Sequence, residues 1–563
     1  MGTRCGASRL GALALGLSLV AACAPTAAGP ELPRPPQPQI LTSSTTASPS
    51  TTTTLDERTL LARGCPTEVC LLYRISPEAR WSDGEPVTAD DFAATVRAHK
   101  DPLAGGRNPV YDLVTEVEAI DPKTARVALS EPRGAWQSLF DRLIPAHVET
   151  LDPRSMPTTG PFVFEQWVPG DRIVVERNRD WWSEIDPLAK ASLGPIERIE
   201  FVFIADTEEL LDSIESGEVD VAALRPSDEI VERLTDFDQT VRYTLSPGPF
   251  WEHIDFHHED ELLSQDWVRE VIDLAIDRQE ILDQTVRLLS PSAGALDNTI
   301  WMQNTAHYEP HYEDRYDPEA AEQLLIDEGC VLEDEVYRCG GRPMSFVWIS
   351  TNDDPDRREI VEAVSEDLAA VGINIVPNLR TPSAFVTRDI LFGGPDVWQI
   401  ANFSWRVGSD PSTADATYFC GDSDMNVNRY CSPEVEELVK AAGTIMDPVS
   451  RSAAFNQADS LYLADRALIP LYQKPDLLAW AAELDGPTPN FSKSTEMWNV
   501  AAWTGSTSVV VALPAEPTAL DPLSTTDESA NRVLATMLYG AFGMDPSLNH
   551  VPVLVDSVDV LQR

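Results

Sequence analysis

The order of the hydrophobic patterns along this chain predicts an α/β fold, with mixed sheets flanked by helices. Three observations carry that expectation. Ile199-Glu200-Phe201 alternates apolar and polar, and Val202-Phe203-Ile204 continues as an apolar run, as a largely buried strand does. Glu208 to Ser216 then places Leu210, Leu211 and Ile214 at helical spacing and stops at Gly217. Further on, Val268 to Val286 reads as one helix with Val271, Ile272, Ala275, Ile276 and Leu282 inward, while Pro318 to Glu328 and Pro433 to Met446 open with proline in the first turn. Strands interleaved with helices build sheets covered by helices, which bind ligands at the strand carboxyl ends or between lobes.

The chain has 563 residues, too many for one compact core, and 43% of them are hydrophobic, enough to bury several. Its 42 basic residues stand against 91 acidic ones, a net charge of −49. Such a surface repels phosphate backbones and anionic headgroups, so neither nucleic acid nor electrostatic docking on a membrane is expected.

The first residues have the three-part layout of a secretory signal. Arg4 and Arg9 precede the apolar stretch Leu10 to Val20, and Val20-Ala21-Ala22-Cys23 supplies small residues up to a cysteine. The stretch is short for a membrane span. Its ending resembles a bacterial lipobox, which implies a signal peptide over 1–22 and Cys23 as a lipidated residue; an ordinary signal with an incidental cysteine is the alternative. Residues 23–56 are rich in Pro, Ser and Thr and read as an extended tether. With Cys5 in the signal and Cys23 in the lipobox, six cysteines remain as neighbours: Cys65 with Cys70, Cys330 with Cys339, Cys420 with Cys431. An oxidising compartment makes these disulfides; zinc competes, although none of the spacings is Cys-x-x-Cys.

Catalytic signatures are scarce. The chain holds no Gly-x-Ser-x-Gly, His-Glu-x-x-His, Gly-x-x-x-x-Gly-Lys or Gly-x-Gly-x-x-Gly. If Trp251 to His258 is a strand, alternation puts His253, Asp255 and His257 on one face, where they can hold a transition metal or merely make a polar face. No enzyme, metal or cofactor is required by these residues.

Five landmarks then occur in one order. Arg80-Trp81-Ser82-Asp83-Gly84 with Thr88-Ala89-Asp90-Asp91 comes first. Thr159-Gly160-Pro161-Phe162 follows, with Arg177-Asn178-Arg179-Asp180-Trp181-Trp182. Ser216-Gly217-Glu218-Val219-Asp220 is next, then Val268-Arg269 with Ala275-Ile276-Asp277-Arg278, then Asp317-Pro318-Glu319-Ala320-Ala321 with Leu324-Leu325. Together they resemble family 5 of the bacterial extracellular solute-binding proteins, the dipeptide, oligopeptide and nickel receptors of ABC importers. The resemblance implies a bilobed type II periplasmic-binding-protein fold, with two mixed sheets, a hinge and an inter-lobe cleft. It implies a peptide or other small solute as ligand, ABC permease subunits as partners, and attachment to the membrane through the lipid anchor. Lobe I would comprise 57–245, with a subdomain at about 80–157; lobe II would span 246–465; the chain would return to lobe I over 466–504. Crossovers are expected near Leu245 to Phe250 and near Ala467 to Pro475.

Two departures from the family stand out. The family opens with a strand, Leu-Asp-Pro, a helix and a Pro-x-Leu turn, and nothing between Cys23 and Cys65 resembles these. They appear instead as Val509 to Leu513, Leu520-Asp521-Pro522, Glu528 to Tyr539 and Val551 to Leu554. Residues 505–563 are therefore expected to complete lobe I, as a circular permutation or, alternatively, as the start of a second copy. In peptide-binding relatives an Asp after a Trp and before Asp-Pro pairs with the peptide's α-ammonium. Here Phe403-Ser404-Trp405-Arg406-Val407-Gly408-Ser409-Asp410-Pro411 keeps Trp405 and Asp410-Pro411 but has Val407 or Gly408 in the acid's place. Tyr111, Trp405, Arg406 and Asp410 are the candidate ligand-binding residues, with Arg406 suited to an anionic group. Around Trp81 and Ala135 to Phe140 the chain also resembles actinobacterial lipoproteins tied to envelope glycolipid assembly, so a non-transport envelope factor is the alternative function.

Overall fold

The computed structural model describes residues 64–562 apart from 102–107, 238, 409, 414, 422, 424, 493–494 and 524–526. The signal, Cys23 and the tether lie outside the described residues. Among those described, no helix is long and apolar enough to cross a membrane.

Two long strands, Val241–Phe256 and Leu468–Ala481, run antiparallel through the middle of a ten-stranded mixed sheet. On one side lie Ile400–Arg406, Ser345–Thr351 and Asn374–Arg380, the sheet of lobe II. On the other lie Val221–Leu224, Ser508–Leu513, Arg198–Phe203, Arg172–Arg177 and Phe162–Val168, the sheet of lobe I. The two lobe sheets are thus joined through the shared crossing strands. The joint is weak for a chemical reason: the ladder breaks between Pro247 and Trp251, where Pro247, Pro249 and Pro475 bring no N–H. Gln473 Nε2 bridges part of the gap by donating to the Gly248 carbonyl at 2.6 Å.

Lobe I is assembled from distant pieces of sequence. Ser508–Leu513 pairs in parallel with Arg198–Phe203, Val511 opposite Phe201, and both are buried. A separate four-stranded sheet forms the subdomain, where Val555–Gln562 pairs antiparallel with Val69–Ile75 and Leu561 faces Cys70. The helix Glu528–Met537 packs its apolar side into the lobe I core with Ile199, Phe201 and Val509.

The family landmarks are structural devices. Gly84 takes a positive φ of 91°, which a side chain resists. Asp91 accepts from Thr88 N at 2.7 Å, from Ala146 N at 2.7 Å and from Trp81 Nε1 at 3.2 Å, tying the helix Ala89–Lys100 to the turn before it. Gly160 donates its N–H to Met537 O at 2.7 Å, and a Cβ there would lie 2.6 Å from the Met537 carbonyl carbon. Thr159 Oγ1 lies 2.9 Å from Tyr539 O and accepts from Tyr539 N at 2.8 Å.

The helix expected over Val268 to Val286 is three shorter ones, Asp266–Ala275, Arg278–Gln284 and Val286–Leu289. Asp277 causes the first break: its carboxylate caps Gln279 and Glu280 N–H groups, and Ile276 turns extended before it. The three cysteine pairs are disulfides: Cys65–Cys70, Cys330–Cys339 and Cys420–Cys431.

Candidate functional site

The strand Ile400–Arg406 and the turn after it carry three of the four expected ligand residues to one place. Trp405, Arg406 and Asp410 line a cavity of about 90 Å³ with Trp251, Ile300 and Tyr418. Trp405 is held edge-on by Phe403 at 5.2 Å and lies parallel to the His253 ring at 6.3 Å. Arg406 is half-exposed at 52%, 6.0 Å above the Phe250 ring, and 3.8 Å from Glu528 of lobe I.

Asp410 is buried and already bound. Both its oxygens accept from Arg451, at 2.7 and 2.6 Å, and Ser412 N donates at 2.9 Å. Burial alone would push its carboxyl up, but the Arg451 contacts outweigh that and hold it below the usual carboxylate range. A bidentate guanidinium satisfies this acid as a cationic ligand otherwise would.

Tyr111 lies apart from these three. It is 1% exposed, its hydroxyl accepts from Phe140 N at 2.9 Å, and its ring stacks on His99 at 4.2 Å, all inside the subdomain core. An apolar neighbourhood at Val110 and Leu113 packs as readily as it lines a cleft, and sequence does not separate the two.

Lobe I carries a cavity of its own. A second cavity, about 80 Å³, is lined by Arg142, Trp498, Tyr539, Phe542 and His550, so residues beyond 490 build most of it. Arg142 donates to Asn531 Oδ1 at 2.8 Å. Burial pushes the His550 imidazole down to about 4, leaving it neutral near pH 7, and it senses the charges of Asp410 and Arg451 across the lobes. The subdomain touches lobe II directly: Gly134 N donates to Gly443 O at 2.7 Å and Trp136 Nε1 to Met446 O at 3.1 Å.

Beside the crossing strands lies a charge network that sequence reading missed. Glu252 is fully buried. It accepts from Arg357 Nη2 at 2.9 Å, Lys474 Nζ at 3.1 Å, Ser404 Oγ at 2.6 Å and Asn402 Nδ2 at 3.1 Å. Burial works to raise its carboxyl, but Lys474 and Arg357 hold it down to about 2. Lys474 also reaches Asp354 at 2.7 Å, so one cluster ties both crossing strands to lobe II.

The polar face of Val241–Phe256 is occupied locally. His253 Nε2 lies 3.2 Å from Asp255 Oδ2, Asn428 donates to Asp255 Oδ1 at 3.0 Å, and His257 Nε2 lies 3.1 Å from Gly393 O. Among the described residues no three His, Cys, Asp or Glu side chains are grouped to hold a metal.

A two-lobed body with a cleft across two shared strands is the architecture of a solute-binding protein. The family model described as bacterial extracellular solute-binding proteins, family 5, matches residues 71–425, and the chain belongs to that family. Among its relatives is the oligopeptide-binding protein OppA of Mycobacterium tuberculosis, 24% identical over 72% of this chain and 69% of its own. Solved structures share the fold. A periplasmic EDTA-binding protein, EppA, superposes with a TM-score of 0.64 at 22% identity, over 78% of this chain and 84% of its own. The oligopeptide-binding protein AppA of Bacillus subtilis, in complex with a nonapeptide, superposes at 0.53 and 18% identity, over 78% and 88%.

Proposed function

We propose that the protein is a lipid-anchored extracytoplasmic receptor that delivers a peptide or peptide-like solute to an ABC permease. Ligand binds between the lobes, which close about the two crossing strands, and no chemical turnover takes place. The observation that carries this reading is the strand ladder that joins the two lobe sheets and is interrupted at three prolines, with a cavity in each lobe. A broken ladder concentrates bending in a few residues, as hinge closure requires. The oligopeptide receptors among its relatives favour peptides as the ligand class.

Residues 505–563 fit the same proposal as the family's opening segment placed after its last one. Their strand, helix and turn fill the central slot of the lobe I sheet and the edge of the subdomain sheet, which supports permutation over a severed second copy. The lipobox supports anchoring at Cys23: Cys23→Ala releases the protein from the membrane fraction if the proposal holds, and unchanged fractionation removes it.

The test of function is native mass spectrometry of the solute carried through purification. Peptides in the spectrum sustain the reading; a glycolipid precursor bound in their place replaces it with the envelope-assembly role.

A further inference from the structure

Lobe II carries a hairpin that is apolar and acidic at once. The helix Pro318–Asp327 stops short of Gly329, and the chain runs into the strand Val331–Glu333, which pairs antiparallel with Val336–Cys339. Ile326, Val331 and Leu332 are 51%, 59% and 52% exposed. Among the described residues twelve large hydrophobic side chains are exposed, and three of them fall within these seven positions. Asp327, Glu328, Glu333, Asp334 and Glu335 stand around them, all exposed. Arg338 is the one cation of the segment 326–339, and it lies 3.5 Å from Glu333.

Solubility asks for no such apolar group. Successive strand residues point to opposite faces, so with Val331 and Leu332 both exposed neither face of their strand is covered. The hairpin is nevertheless firmly held. Cys330, Tyr337 and Cys339 belong to the lobe II core, Tyr337 N donates to Gly372 O at 2.8 Å, and the Cys330–Cys339 disulfide ties the two strands at their base. The tip is a two-residue turn, Asp334-Glu335, with φ of 48° and 70°. Turns of that hand favour Asn-Gly or Asp-Gly, and a glutamate there is held against its own preference, as happens where function sets the residue. An anchored prong loses little freedom on docking, so a small apolar surface suffices to bind.

We propose that this hairpin is a docking prong for a partner protein that offers an apolar notch rimmed by lysine or arginine. Ile326, Val331 and Leu332 fill the notch, and the surrounding acids meet the basic rim. Charge selects that class of partner. A second copy of this chain brings its own −49 and the same acids. Val331–Glu333 is also the outer strand of its small sheet, where Glu333 opposes edge-to-edge pairing. Anionic headgroups are repelled in the same way. The inference goes beyond the receptor reading and holds whichever solute the cleft takes.

Photocrosslinking in native cells, with p-benzoylphenylalanine placed at Leu332 of the full chain, tests the assignment. The same probe at Val449, 73% exposed and outside the segment, is the control. An adduct is expected from Leu332 and not from Val449, mapped to a partner peptide whose apolar residues stand between lysines or arginines. Asp334→Asn combined with Glu335→Gly suits the turn and removes two of the acids. That protein should melt no lower than wild type yet lose about threefold or more of its adduct. Val331→Ser, at an exposed position, should lower the yield by about as much. An adduct that either variant leaves unchanged, an adduct to a second copy of this chain or to lipid, or no adduct above the Val449 level overturns the proposal. Co-purified solute should be the same in wild type and both variants; its loss assigns the hairpin to the ligand site and overturns docking as its role.

Discussion

The two lobes differ in how they are sewn together. Lobe II is drawn from nearly contiguous sequence, its strands Ser345–Thr351, Asn374–Arg380 and Ile400–Arg406 following one another with short-range parallel pairing. Lobe I closes only when residues beyond 505 return to strands laid down before 205. Contacts between such distant residues carry a larger chain-closure cost and form late. Lobe I is accordingly the part whose integrity depends on one late-arriving segment, and that segment also walls the cleft.

Deleting everything after Trp503 attacks this difference most directly. It empties the slot between Val221–Leu224 and Arg198–Phe203 and uncovers Val509, Val511 and Leu534 partners in the core. Unpaired strand edges and exposed apolar faces are expected to unfold lobe I while Ser345–Arg380 keeps its amide protection in hydrogen exchange. Uniform loss of protection across both lobes, or none, breaks the comparison.

Next in size is Glu252→Gln. It leaves Arg357 and Lys474 without their buried anion, which costs about 3–5 kcal/mol when one partner of such a pair is removed. The wild-type contribution has a defined acid window. The folded carboxyl sits near 2, below its ordinary value, so its stabilisation is present above the usual glutamate range and disappears as pH falls toward 2. Chemical denaturation at a series of acidic pH values should show wild type converging on the variant.

Gly160→Ala has a smaller effect, confined to lobe I. The new methyl meets the Met537 carbonyl at 2.6 Å and prises the returning helix from its docking turn, for about 1–3 kcal/mol. Gly394→Ala, where no atom lies within 4 Å of the added Cβ, is the lobe II control and should leave the melting temperature unchanged. Equal shifts from the two substitutions remove the claim that lobe I is held by this seam.

The sequence carried the scaffold more legibly than the site, and the reasons are local. Trp81 to Asp91 and Thr159 to Phe162 are turns and caps whose geometry follows from Gly, Pro, Thr and Asp at fixed spacing, so their roles are written in neighbouring residues. Gly217 ends its helix at a φ of 75°, as an apolar run stopped by glycine implies. The split at Asp277 was hidden because Ala275 and Leu282 keep helical spacing across the break, and spacing does not register a change of axis. Site residues depend on partners far away in sequence. Asp410 is defined by Arg451, Tyr111 by Phe140 and His99, and Glu252 by Arg357 and Lys474.

The disulfide Cys65–Cys70 has a mechanical meaning. Cys65, Cys70 and Leu561 share one small buried cluster with Leu72 and Ala128. Tension applied at Cys65 passes through the sulfur bridge and bypasses the four residues between the two cysteines. It is delivered to Val69–Ile75, a strand hydrogen-bonded on both flanks by Thr124–Leu129 and Val555–Gln562. A load along such a strand must shear two ladders together and cannot peel them one bond at a time, so the strand resists pulling along its own axis.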